Sequence, residues 1–178
     1  MRAGFVLVVL LSAAFQSPRE VDPQALDWFR KGEELIGTSQ QFSQKQSQYF
    51  QKAVELDPYF VAARFNLALI YTKQEKFQLA LKQLNTLIEL DPENVIAYLL
   101  RARLRVEFKQ LESADQDLDR AIGIDPKNAE AWLALGRVRL EQAKYRNASE
   151  AIQKSIQFNP DLIEAYADLA LSQHLSGR

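Results

Sequence analysis

Asp115-x-Asp117-x-Asp119 spaces three carboxylates as the start of a calcium-binding loop does. It departs where that loop is strict. Arg120 stands where a glycine is required and Pro126 where the terminal glutamate belongs, so the triplet reads as a solvated helix face. With no cysteine and a single histidine, His174, close to the C-terminus, the chain has neither a thiol nucleophile nor a His-rich metal site. His174 reads as a surface side chain. Asn147-Ala148-Ser149 fits a glycosylation acceptor, a pattern that is meaningful only in a eukaryotic secretory route and arises often by chance. Catalysis has no carrier here; neither an enzyme nor a cofactor is expected.

Two arginines carry the remaining binding chemistry. Arg103 and Arg137 stand 34 residues apart, each with a glutamate four residues on, Glu107 and Glu141. A guanidinium donates bidentately to a carboxylate, which suits an acidic ligand. The same spacing on a helix lets each arginine pair with its own glutamate at the surface. Both readings stay open. With 22 basic against 23 acidic side chains, no net field steers the chain to nucleic acid or to an anionic membrane.

The elements that position these residues follow from a repeat. Pro58, Pro92, Pro126 and Pro160 fall 34 residues apart, behind Val-Glu-Leu-Asp, Ile-Glu-Leu-Asp, Ile-Gly-Ile-Asp and Ile-Gln-Phe-Asn. A fixed period of this size predicts a stack of small units, an α-solenoid. Between the prolines apolar residues recur at helical spacing. After Pro126, Trp132, Leu135, Gly136, Val138 and Leu140 mark one helix, and Ala148, Ile152 and Ile156 one face of the next. Lys144-Tyr145-Arg146-Asn147 lies between them and reads as the turn. Asp-Pro closes the second helix, because the residue before proline avoids helical dihedrals and proline lacks the N–H to continue. Small residues, Ala68, Ala102 and Gly136 in first helices and Ala80, Ala114 and Ala148 in second ones, let the two backbones approach closely.

The amino terminus differs in kind. Arg2 precedes an uncharged run, Ala3 to Phe15, and Ser12 and Ala14 sit where a peptidase prefers small residues. Residues 1–15 therefore read as a secretory signal peptide, with an uncleaved membrane anchor as the second choice. The run is short of the ~20 residues that span a bilayer. An exported protein, periplasmic or secreted, is expected.

Trp132-x-x-Leu135-Gly136, then Ala148-x-x-x-Ile152, then Pro160 resembles a tetratricopeptide repeat (TPR). Leu67, Ala68, Tyr71, Ala80, Leu84 and Pro92 repeat the pattern, as do Tyr98, Ala102, Ala114, Leu118, Ala121 and Pro126. Trp28, Gly32, Leu35, Phe50, Ala53 and Pro58 form a first unit with two extra residues, placed at Gly37-Thr38-Ser39-Gln40. The resemblance implies an all-α superhelix of four antiparallel helix pairs, at about 25–60, 61–94, 95–128 and 129–162, closed by a capping helix at 163–175. In that cap, Leu171 and Leu175 are more apolar than a solvent-facing end needs, which leaves a dimer or docking contact open.

Members of this family hold peptides or partner helices against their first helices. Transferred to this chain, that geometry aligns three inward columns. Phe29, Phe65, Leu99 and Leu133 form one; Glu33, Leu69, Arg103 and Arg137 the second; Ile36, Thr72, Val106 and Leu140 the third. The groove residues are expected to be Phe29, Phe65, Leu69, Leu99, Arg103, Val106, Leu133 and Arg137, binding a protein or peptide partner. Arg101 and Arg105 occupy positions that are mostly apolar in the other repeats and are expected to pair with an acid such as Asp115 or Asp117. The family's two-carboxylate clamp for chaperone tails has only Asn66 here; Phe29, Glu33, Ile96 and Leu100 replace its other residues, so that ligand is disfavoured.

Overall fold

The computed structural model describes residues 19–177. Among the described residues there are nine α-helices and no strand. They belong to two compact units, one ending at Glu75 and the other beginning at Lys76. The signal-peptide reading concerns residues outside that range. Among the described residues no helix is long and apolar enough to cross a membrane.

The first unit holds α1 (Pro23–Glu33), α2 (Gln44–Leu56) and α3 (Val61–Lys73). Asp22 caps α1 by accepting from the Gln24 and Ala25 amides at 2.8 and 3.0 Å, with Pro23 in the first turn. The α1–α2 connection, 34–43, is long and includes the stretch read as carrying the extra residues. Gln46 fastens it. Buried at the position where later repeats carry alanine, it donates from Nε2 to the Gly32 carbonyl at 2.9 Å and accepts from the Phe42 amide at 2.7 Å. Ala25, Ala53, Phe60 and Ala63 form the core of this unit. Gly32 lies directly under Phe50, whose ring a Cβ there would meet at 2.7 Å.

The second unit holds α4 (Phe77–Leu90), α5 (Val95–Glu107), α6 (Leu111–Ile124), α7 (Ala129–Glu141), α8 (Tyr145–Phe158) and α9 (Ile163–Ser176). Helices adjacent in sequence pack on one another. Ala102, Ala114, Leu118, Leu135, Val138 and Ala151 form one buried cluster; Leu133, Ile152 and Ala165 form another. The residue before each proline is extended at the helix end: Asp91 at φ −137°, ψ 82° and Asp125 at φ −124°, ψ 89°. Asn94 and Asn128 then cap the next helix, accepting from the Ala97 and Ala131 amides at 3.0 and 2.9 Å.

Two sequence expectations need correction. The turn of the fourth repeat is not Lys144 to Asn147, because α8 already starts at Tyr145. The chain reverses at 142–144, with Ala143 at φ 59°, and an alanine in the left-handed region leaves no turn signal in the sequence. The aspartate triplet is not a solvated face either. Asp117 is 2% exposed and accepts from Arg101 at 2.6 and 2.9 Å, while Arg105 lies 2.8 Å from it. Arg101 also donates to Asn85 at 2.9 Å and Arg105 to the Ser113 carbonyl at 2.8 Å. The pairing expected of Arg101 and Arg105 is thus made, with Asp117 as the shared acid. Among the described residues no group of acids, histidines or cysteines is placed to hold a metal ion.

Packing and charge give separable predictions. A Cβ on Gly136 would meet Ile152 at 2.4 Å, whereas nothing lies within 4 Å of one on Gly123. Urea denaturation should show Gly136→Ala losing about 1–3 kcal/mol to overpacking despite its better helix propensity. Gly123→Ala should gain about 0.5–1 kcal/mol; equal effects at the two sites would contradict this packing. Asp117→Asn, which leaves two half-buried guanidinium groups without an anion, should cost about 3–5 kcal/mol. Asp119→Asn, at a largely exposed side chain, should cost under about 1 kcal/mol in the same assay.

Candidate functional site

In the second unit, α5 and α7 with the start of α9 enclose a cavity of about 650 Å³. Leu99, Leu100, Arg103 and Val106 line it from α5, Leu133 and Arg137 from α7, and Leu162 from the residue before α9. These are the inward positions of two successive first helices. Five of the expected groove residues, Leu99, Arg103, Val106, Leu133 and Arg137, therefore meet at one place.

Their roles differ. Leu133 is 4% exposed and packs with Ile152 and Ala165, so it floors the cavity as core. Leu99 and Val106 are half-buried and pack against the Ala102–Leu118 cluster while facing the space. Arg137 donates from Nε to Asp168 of α9 at 2.6 Å, and Glu141 takes Lys109 at 3.1 Å. Arg103 is exposed, and among the described residues it has no ion-pair or hydrogen-bond partner. The same-helix pairs Arg103–Glu107 and Arg137–Glu141 are both absent; Asp168 captures Arg137 and Lys109 captures Glu141, while nothing in the structure explains why Arg103 and Glu107 stay apart. Glu130 and Glu164, at the starts of α7 and α9, put negative charge at one end of the cavity.

Three expected groove residues lie in the first unit. Phe29 is half-buried on α1, packed against the Ala25–Ala63 cluster with its ring centroid 5.3 Å from that of Phe50 and 4.8 Å from that of Phe60. Phe65 and Leu69 are half-buried on α3. Glu33, from the second column, has a pKa raised by burial against the opposing pull of Arg30. What sequence reasoning missed is the contribution of α9 and the residue before it. The recognisable start of a fifth repeat was the available signal, since a further first helix must bring its own column to the site.

Tetratricopeptide repeat profiles match residues 47–95 and 65–129 in one form and 105–172 in another. No curated protein sequence matches the chain. Among solved structures, the MamA protein is similar with a TM-score of 0.80 and 23% identity, over 86% of this chain and 82% of that one. YrrB, described as a TPR protein with an unusual peptide-binding site, aligns with a TM-score of 0.74 and 16% identity, over 86% and 78%. The first TPR of Spaghetti (RPAP3), bound to the HSP90 peptide SRMEEVD, aligns with a TM-score of 0.64 and 19% identity, over 66% and 96%. At these identities the likeness speaks for fold alone. Repeating Asp-Pro helix ends, small-residue contacts and the profile matches converge: this all-α chain, of the TPR solenoid class, belongs to the tetratricopeptide repeat family.

Proposed function

We propose that the chain is a non-enzymatic interaction scaffold that holds an extended peptide or a partner helix in the α5–α7–α9 cavity. One observation carries this reading: Arg103 is left unpaired beside an apolar surface made by Leu99, Leu100 and Val106. An unsatisfied guanidinium beside aliphatic side chains suits a ligand that brings an aliphatic residue next to a carboxylate. Glu130 and Glu164 suit a basic residue further along the same ligand. The peptide bound to the first TPR of Spaghetti (RPAP3) and the peptide-binding site described for YrrB support a peptide ligand in general. The chaperone-tail clamp is not proposed, since Ile96 and Leu100, where two of its cations would stand, are aliphatic.

The test is selection from a displayed peptide library on the purified chain. Enriched sequences should place Leu or Ile within one or two residues of Asp or Glu. Arg103→Glu should lower the affinity of the enriched peptides by about tenfold or more while leaving the circular dichroism unchanged. Peptides that bind Arg103→Glu as well as the original chain would refute the groove reading.

A second reading has its own support. Along α9, Ile163 is 84% exposed, Tyr166 48% and Leu171 49%, so apolar surface stands in solvent although the Tyr166 hydroxyl donates to the Pro160 carbonyl at 3.1 Å. Such a surface suits self-association or docking on a larger assembly. Light scattering across a concentration series should then show a dimer that Leu171→Lys abolishes, whereas a monomer at every concentration would count against self-association.

A further inference from the structure

A second cavity, of about 520 Å³, lies between α5 and α6 and uses none of the groove side chains. Tyr98, Arg101 and Arg105 line it from α5, and Asp117, Asp119 and Arg120 from α6. Arg101 lies over the Tyr98 ring, 5.6 Å from its centroid. Both Asp117 oxygens already accept from Arg101, at 2.6 and 2.9 Å, and Arg105 shares one of them at 2.8 Å. One carboxylate thus serves two guanidinium groups whose side chains are only 14% and 22% exposed.

The neighbouring acids bring no relief. Asp119 faces Arg139 at 3.5 Å, and Arg139 and Lys144 converge on Asp115 at 3.4 and 3.8 Å. Arg120, on the cavity wall, is exposed and has no partner among the described residues. Five cationic side chains (Arg101, Arg105, Arg120, Arg139 and Lys144) are therefore set against Asp115, Asp117 and Asp119, leaving formally two positive charges unbalanced. Burial, the largest influence, pulls the Arg105 pKa down; Asp117 opposes it and the Arg101 charge adds to it. A half-buried guanidinium in that condition is short of anion. A carboxylate ligand would supply one negative charge. A phosphoryl group supplies about two, with oxygens that fit the arginine fork.

We propose that this cavity binds a phosphoryl dianion, with Arg105 and Arg120 donating to it while Asp117 holds Arg101 and Arg105 in place. The proposal is independent of the groove. Its test is calorimetric titration of the full chain with inorganic phosphate and, separately, with O-phosphoserine, at ionic strength held constant with sodium chloride. Saturable binding is expected, weakened at least about fivefold by Arg120→Ala, since a hydrogen bond between charged groups is lost. Arg103→Ala, in the groove, should leave it unchanged. An unaltered urea midpoint for Arg120→Ala would show that the exposed substitution spares the fold. Tighter binding of phosphoserine identifies a phosphorylated side chain as the source, and equal affinities identify free phosphate. No saturable binding, a smaller change in Arg120→Ala, or an equal loss in Arg103→Ala overturns the proposal.

Discussion

Everything in this chain depends on how closely two helix backbones approach within a hairpin. Gly136 touches Ile152 so tightly that even a methyl group would have to displace a fully buried side chain, and Gly32 lies as tightly under Phe50. Ala102 meets the same need in the third repeat, opposite Ala114 and Leu118. The close approach fixes where the far side of each first helix points. Leu99, Arg103 and Leu133, Arg137 face a common space because the repeats carrying them are built on the same contact. The candidate groove is thus a by-product of packing on the opposite side of the same helices.

The third repeat satisfies that geometry with charge as well as apolar contact. Arg101 stands where Leu67 and Leu135 stand in the neighbouring repeats, and its guanidinium is held by a buried aspartate one helix away. Replacing apolar contact with a buried ion pair rarely adds stability, because desolvation offsets most of the attraction. The substitution instead leaves polarity and an excess of positive charge at a place that its relatives in the stack keep apolar. That asymmetry, local to one repeat, is why the chain has two different concave surfaces to offer.

Much of the fold was legible because its rules are local and recur. Proline spacing fixed the helix ends, since Asp91 and Asp125 must leave helical dihedrals before Pro92 and Pro126. Side-chain partners were legible only where burial forced a choice. Arg101 had to find an acid, and Asp117 is that acid. Arg137 had alternatives at the surface, and the winner, Asp168, is 31 residues away in α9, a partner that helical spacing within α7 does not single out. Phe29 shows the same limit: its column position was legible, but its ring contacts with Phe50 and Phe60 were not. The hairpin reversal at Ala143 escaped because the sequence there contains no glycine or asparagine to announce it.

That reversal belongs to a set. Glu75, Lys109 and Ala143, each two residues past a first helix, adopt positive φ between 57° and 59°, and Phe42, just before α2, adopts 62°. Left-handed backbone costs an L-residue with a Cβ roughly 1–2 kcal/mol, a cost that glycine largely escapes. Selection has therefore left four places where a one-residue exchange could harden the chain; Lys109 is the one of them that touches a concave surface, since it holds Glu141 on the cavity wall. In a protein engineer's terms, these turns are unused headroom: the concave surfaces can be redesigned at some loss of stability, and the reserve to absorb that loss is already built into the hairpins.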